Sequence, residues 1–148
     1  VSLEELYRQV ILDHYRNPRN RSPLASPDAR AEGVNPLCGD EVTVELVFDD
    51  DKVAQVSVRS HGCSISQSSA SMMGEAIKGL DRDAIDRLIS RFRIMLDLDS
   101  GDGDGLDPDR PGAVLGDLEA LQGVRKYPVR IKCASLPWTA LEQALTGH

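Results

Sequence analysis

Three thiols and one carboxylate are the residues of this sequence best suited to chemistry. The stretch Asn35-Pro36-Leu37-Cys38-Gly39-Asp40 sets a thiol and an acid two residues apart on a turn tightened by proline and glycine. The other two cysteines, Cys63 and Cys133, lie far along the chain. Three thiolate sulfurs and one carboxylate oxygen suit a tetrahedral Zn²⁺, which would keep the thiols deprotonated. No two of the cysteines form a CxxC pair. Three buried free thiols acting as small hydrophobes therefore remain an alternative, beside metal or redox chemistry. A disulfide framework is not expected from an odd number of cysteines without an export signal.

The elements that must gather these groups are legible from pattern. Val42, Val44, Leu46 and Phe48 alternate with Thr43, Glu45 and Val47, which predicts a strand over 41–48. An acidic turn at Asp49-Asp50-Asp51-Lys52 leads to a second alternating run, with Ala54, Val56 and Val58 on one face. Together they predict an antiparallel hairpin. Cys38 sits on the loop entering it, and Cys63 sits at its exit, where a serine-rich helix over 64–74 begins. The ends of a hairpin lie close in space, so these thiols can meet. A helix N-terminus just after Cys63 favours a thiolate there. Cys133 must arrive by packing of a C-terminal helical region.

Elsewhere the pattern is mostly helical. Ser2-Leu3-Glu4-Glu5 forms a capping box ahead of an apolar stripe at Leu3, Leu6, Tyr7, Val10, Ile11 and His14. Asn17-Pro18 should end that helix near Arg16. A short strand is expected near 30–34. Asp81 or Asp83 caps a helix with Ala84, Ile85, Leu88, Ile89 and Phe92 on its buried stripe. A short helix is expected over 113–121, carrying Val114, Leu118 and Leu121. Pro128 suits a first helical turn, Pro137 should break the helix, and Ser135 should cap a fresh start. Segment 97–112 holds six aspartates and four glycines, which predicts an exposed acidic insertion. Its acids miss the EF-hand pattern at the third ligand, and no glutamate closes the loop. The expected whole, residues 1–148, is one α+β domain: a small three-stranded antiparallel sheet with helices packed on one side.

Composition narrows the partners. A net charge of -7 over 148 residues argues against nucleic acid, which needs clustered Lys and Arg. No apolar run approaches the roughly 20 residues of a membrane span, so a cytoplasmic protein is expected. His14 lies on an apolar stripe and reads as a hydrogen-bonded packing residue. His61 could compete as a ligand but reads as a rim residue. The many serines suggest no hydrolase, because no nucleophile elbow is present.

Four stretches in order resemble the SufU/IscU-type family of iron–sulfur assembly proteins over nearly the whole chain. They are Leu12-Asp13-His14-Tyr15-Arg16-Asn17-Pro18-Arg19-Asn20, the Cys38 turn, Gly62-Cys63-Ser64-Ile65-Ser66, and Arg130-Ile131-Lys132-Cys133-Ala134. IscU-type members resemble one another in a histidine before the third cysteine; here it is Lys132, a poor ligand at neutral pH. That lysine and the acidic insertion are similar to the SufU group. The resemblance implies a SufE/IscU-like fold and Zn²⁺ held by Cys38, Asp40, Cys63 and Cys133. It also implies sulfur transfer from a SufS-type cysteine desulfurase toward downstream iron–sulfur assembly machinery, with Cys38 as the sulfur acceptor and a partner-contact role for Arg130. The alternatives are an IscU-type scaffold building a [2Fe–2S] cluster on the same cysteines, or a closed structural zinc module.

Overall fold

The structure, a computed structural model, describes residues 3–37, 39–96, 98, 109–110 and 112–146. Helix α1 (Leu3–Arg16) leads to strands β1 (Ala29–Asn35), β2 (Asp40–Asp49) and β3 (Lys52–His61). Helices α2 (Ser64–Ile77) and α3 (Arg82–Met95), a 3₁₀ helix (Gly116–Lys126) and helix α4 (Pro128–Thr146) complete the order. The three strands form one antiparallel sheet in the order β1-β2-β3, so the fold is α+β as expected. Helix α4 packs on β1 and β2, and α2 packs on β3. Val42, Val44, Leu46, Val56 and Val58 point into the core between them, with Met72, Met73, Trp138 and Leu141 opposite. Phe92 stacks on Trp138 with ring centroids 4.3 Å apart.

The hairpin register sets the site. Asn35 pairs with Asp40, and Glu41 pairs with His61, so the start of β2 and the exit of β3 share one end of the sheet. At the other end Asp50 and Asp51 both adopt positive φ (54° and 65°). Two such residues give the turn a twist that matches the strands. The expected inward alternation of β3 fails at one place. Val47 pairs with Gln55 but Phe48 pairs with Val53, so Ala54 is the extra residue of a bulge. Val53 is buried and Ala54 is exposed, the reverse of the sequence expectation.

Helix α1 ends where proline geometry requires, with Asn17 N–H closing the last turn on the Asp13 carbonyl at 2.8 Å. The proposed cap Ser2 lies outside the described residues. Asp81 caps α3 by accepting Ala84 N–H at 2.8 Å. Most of the acidic segment 97–112 lies outside the described residues.

Two helical expectations need correction. The helix expected over 113–121 is a 3₁₀ helix that starts and ends later, preceded by a turn over 112–115. Gly112 and Gly116 take positive φ there, and the buried Glu119 carboxylate accepts N–H groups from Gly112, Val114 and Leu115 at 2.9–3.0 Å. One buried carboxylate thus gathers three amides of the turn and holds this stretch out of the helix. Glu119→Ala leaves three amides without that acceptor. At about 1 kcal/mol or more each, a loss of at least about 3 kcal/mol is expected. Urea unfolding midpoints measure it, with Glu119→Gln falling between the two.

The second correction concerns α4, which runs unbroken through Pro137 instead of restarting at Ser135. An interior proline costs about 3 kcal/mol. Burial of Trp138 and Leu141 alone returns roughly 1.5–3 kcal/mol each, and Ala140, Ala144 and Leu145 are buried too. Tertiary packing wins over the local penalty. Pro128 occupies the first turn as expected.

Candidate metal centre

Asp40 opens β2 and is wholly buried. Its Oδ1 accepts the Cys63 N–H at 2.8 Å, and its Oδ2 lies 3.8 Å from Cys63 Sγ. Gly62 makes this approach available. It stands at φ +140°, and a Cβ there would fall 1.9 Å from Asp40 Oδ1. Only glycine lets the chain turn so close over the carboxylate.

Cys63 is the N-cap of α2, and its Sγ accepts the Ser66 N–H at 3.5 Å. The sulfur takes the place that a serine or aspartate oxygen usually fills. Cys133 is buried on α4. Two hydroxyl contacts hold α4 against α2 at this level. Ser69 Oγ donates to the Ala134 carbonyl at 2.6 Å and accepts Trp138 Nε1–H at 3.1 Å. As a result, ligand atoms of Asp40, Cys63 and Cys133 all lie within 4.8 Å of one another.

This donor set fits a thiophilic divalent ion. Two ligands at Zn–S about 2.3 Å and Zn–O about 2.1 Å subtend a tetrahedral edge of about 3.6 Å, close to the Cys63–Asp40 spacing. Two thiolates and a buried carboxylate packed together would also repel one another strongly without a cation among them. Arg130, one helical turn before Cys133, supplies positive charge from outside. Negative charge on Cys63 foremost, then a hydrogen bond to Cys63 and charge on Cys133, hold its guanidinium protonated beyond the usual range.

Cys38, the expected fourth ligand and sulfur acceptor, lies outside the described residues. Its neighbours form a turn anchored on Asn35, whose Oδ1 accepts Leu37 N–H at 3.2 Å and whose carbonyl accepts Gly39 N–H at 2.9 Å. Gly39 is at φ +70°, and Leu37 is 74% exposed. His61 is exposed and is absent from the cluster among the described residues. Lys132 is exposed beside buried Cys133. His14 is the packing residue expected: it is buried, with Nδ1 on Ser71 Oγ and Nε2 on Asp117 Oδ2, both at 2.8 Å. Sequence reasoning missed the part played by Gly62; its place directly before a candidate ligand was the available signal.

A family model described as NifU-like N terminal domain matches residues 6–134. The chain is 45% identical over 147 residues to the zinc-dependent sulfurtransferase SufU of Bacillus subtilis, covering 98% of this chain and 92% of that one. It is 34% identical over 143 residues to the iron-sulfur cluster assembly scaffold protein IscU of Streptococcus pyogenes serotype M1, covering 97% and 84%. Its fold is similar to the crystal structure of an iron-sulfur cluster assembly scaffold protein for the SUF system from Fervidobacterium islandicum AW-1. The TM-score is 0.81 at 32% identity, over 97% of this chain and 99% of that one. No helix among the described residues is long and apolar enough to cross a membrane. A thiol-and-carboxylate cluster at the open end of a hairpin, on a fold shared along nearly the full chain, places this protein in the SufU/IscU-type iron–sulfur cluster assembly family.

Proposed function

We propose that this protein is a zinc-dependent sulfurtransferase that accepts persulfide sulfur from a SufS-type cysteine desulfurase and passes it toward iron–sulfur cluster assembly. The observation that carries this reading is the convergence of Asp40, Cys63 and Cys133, beside an exposed Lys132 that is a poor ligand at neutral pH. Asp40, Cys63, Cys133 and Cys38 would hold the ion. Bound zinc supplies charge that keeps cysteine sulfur in its anionic form at neutral pH.

Cys38 is the acceptor in this reading. Its sulfur attacks the outer sulfur of the desulfurase persulfide, and a new S–S bond forms on Cys38. The old S–S bond breaks, and the desulfurase cysteine leaves as a thiolate. The exchange is redox-neutral and needs no further reactant. The other two thiols are held by α2 and α4, whereas Cys38 stands in a Pro/Gly-bounded stretch outside any described helix or strand. Exposed Leu37 beside it offers the partner an apolar contact.

Desulfurase turnover with and without this protein tests the proposal. Turnover should rise when the protein is added, return to the basal rate after chelation, and recover with Zn²⁺. Unchanged turnover with the zinc-loaded protein sinks it. The IscU-type relatives support a second reading, a [2Fe–2S] scaffold on the same cysteines. A brown protein that hands its cluster to an acceptor would establish that one instead.

Charge reversal at Arg130 tests how the partner is met. Arg130 is exposed, so Arg130→Glu should leave the circular dichroism spectrum unchanged. It should cut desulfurase activation at least about tenfold, because an anion then faces the approaching persulfide. Full activation by the folded variant would remove Arg130 from the contact.

A further inference from the structure

We propose a second divalent-metal site, formed by His14 Nε2, Asp117 and Glu75, distinct from the cysteine centre. Ligand atoms of these three residues lie within 4.8 Å of one another. They come from three elements: α1, the 3₁₀ helix and α2. They face a cleft of about 240 Å³, which Met72 and Leu115 help to line. Glu75 is twelve residues beyond Cys63, about 18 Å along α2 at 1.5 Å per residue. The two centres are therefore at different places on the fold, and this inference does not rest on the sulfur-transfer reading.

A buried histidine bonded to an aspartate is often only structural. Three features point further. First, the two ring nitrogens have separate environments. Nδ1 is taken by Ser71 Oγ at 2.8 Å, so Nε2 alone faces the carboxylates. Second, Ser71 Oγ fits the ligated form as well as the present one. It already accepts Arg19 N–H at 3.0 Å. With Nε2 protonated, the Ser71 hydroxyl donates to Nδ1. When Nε2 binds a metal, the neutral ring changes tautomer: Nε2 gives its proton to solvent, Nδ1 takes one up from solvent, and Ser71 Oγ accepts the new Nδ1–H while its own hydrogen turns away. Such a partner on the far nitrogen is what orients ligating histidines.

Third, the spacing and mobility suit an ion. Nε2 and Asp117 Oδ2 are 2.8 Å apart. Two ligands about 2.1 Å from one octahedral ion lie about 3 Å apart, so a small opening suffices. Asp117 is 56% exposed and follows Gly116 at φ +61°, while Glu75 is 47% exposed. Arg19 is the competing cation, with Nε 3.5 Å from Glu75. Its closer bond, 2.7 Å, is to Asp13, which can keep it when Glu75 turns to a metal. One nitrogen and two carboxylates suit Mn²⁺, Fe²⁺, Co²⁺ or Zn²⁺ rather than the thiophilic preference of the other centre.

The test is a Co²⁺ titration of the full chain with its cysteine centre already zinc-loaded. A further equivalent of Co²⁺ should bind with weak visible d–d bands and no sulfur-to-cobalt charge transfer in the near ultraviolet. The His14 ring nitrogens should shift or broaden in NMR spectra. Asp117→Asn and Glu75→Gln, both at exposed positions, should each weaken this equivalent at least about tenfold and leave the zinc content unchanged. No binding at micromolar Co²⁺, or binding equally tight in both variants, overturns the site. Charge-transfer bands during the titration would mean exchange at the cysteines, which likewise counts against it.

Discussion

Gly62→Ala is expected to strip the protein of its metal. The added Cβ would lie 1.9 Å from Asp40 Oδ1, 2.7 Å from its Cγ and 2.9 Å from its Cα. Rotating the carboxylate cannot relieve a clash that includes backbone. The residue also stands at φ +140°, which an L side chain tolerates poorly. The junction between β3 and α2 must move, and the Cys63 N–H then leaves Asp40. A buried carboxylate without its donor and a displaced Cys63 sulfur together should cost about 3 kcal/mol or more. Zinc per chain should fall close to zero, and the unfolding midpoint should drop. A variant that purifies with full zinc would show that the close passage over Asp40 does not matter.

The second large effect is expected at Cys38. Cys38→Ala should reduce sulfur acceptance to background when the protein is incubated with desulfurase and cysteine. The variant's circular dichroism spectrum and unfolding midpoint should be taken alongside, so that a lost acceptor is told apart from a lost fold. Mass spectrometry of the intact chain reads the outcome directly. Persulfide accumulating on the variant would move the acceptor role to Cys63 or Cys133. Cys63→Ala should behave differently: it removes the α2 N-cap as well as a ligand, so stability should fall together with metal content.

Short-range physics was readable without coordinates. The alternation through Val42, Val44 and Leu46, the Asp81 cap and the stop at Asn17-Pro18 each depend on residues within one turn or one strand, and each is found. The failures have longer reach. Nothing in the alternation marks Ala54 as the extra residue of a bulge. Pro137 carries a local penalty that the burial of Trp138 and Leu141 overrides. Glu119 captures amides up to seven residues away and remakes the segment before it. The His14–Asp117 bond joins residues 103 apart. The meeting of Asp40, Cys63 and Cys133 was legible mainly through the family resemblance, since their spacing fits no short ligand motif. Asp40 and Cys63 are tied by hairpin register, but Cys133 depends on how α4 packs.

Helix α2 is stitched to its surroundings by serine. Ser68 donates to the Ile11 carbonyl, Ser69 to the Ala134 carbonyl, and Ser71 meets His14 and Arg19. Each hydroxyl reaches a different neighbour, so the segment's preference for a helix and the molecule's preference for this arrangement pull in opposite directions. Exchanging these serines for alanines would produce a peptide that coils more readily on its own and a protein that holds together less well. Selection on foldedness alone and selection on helix formation alone would thus drive this stretch toward different alphabets.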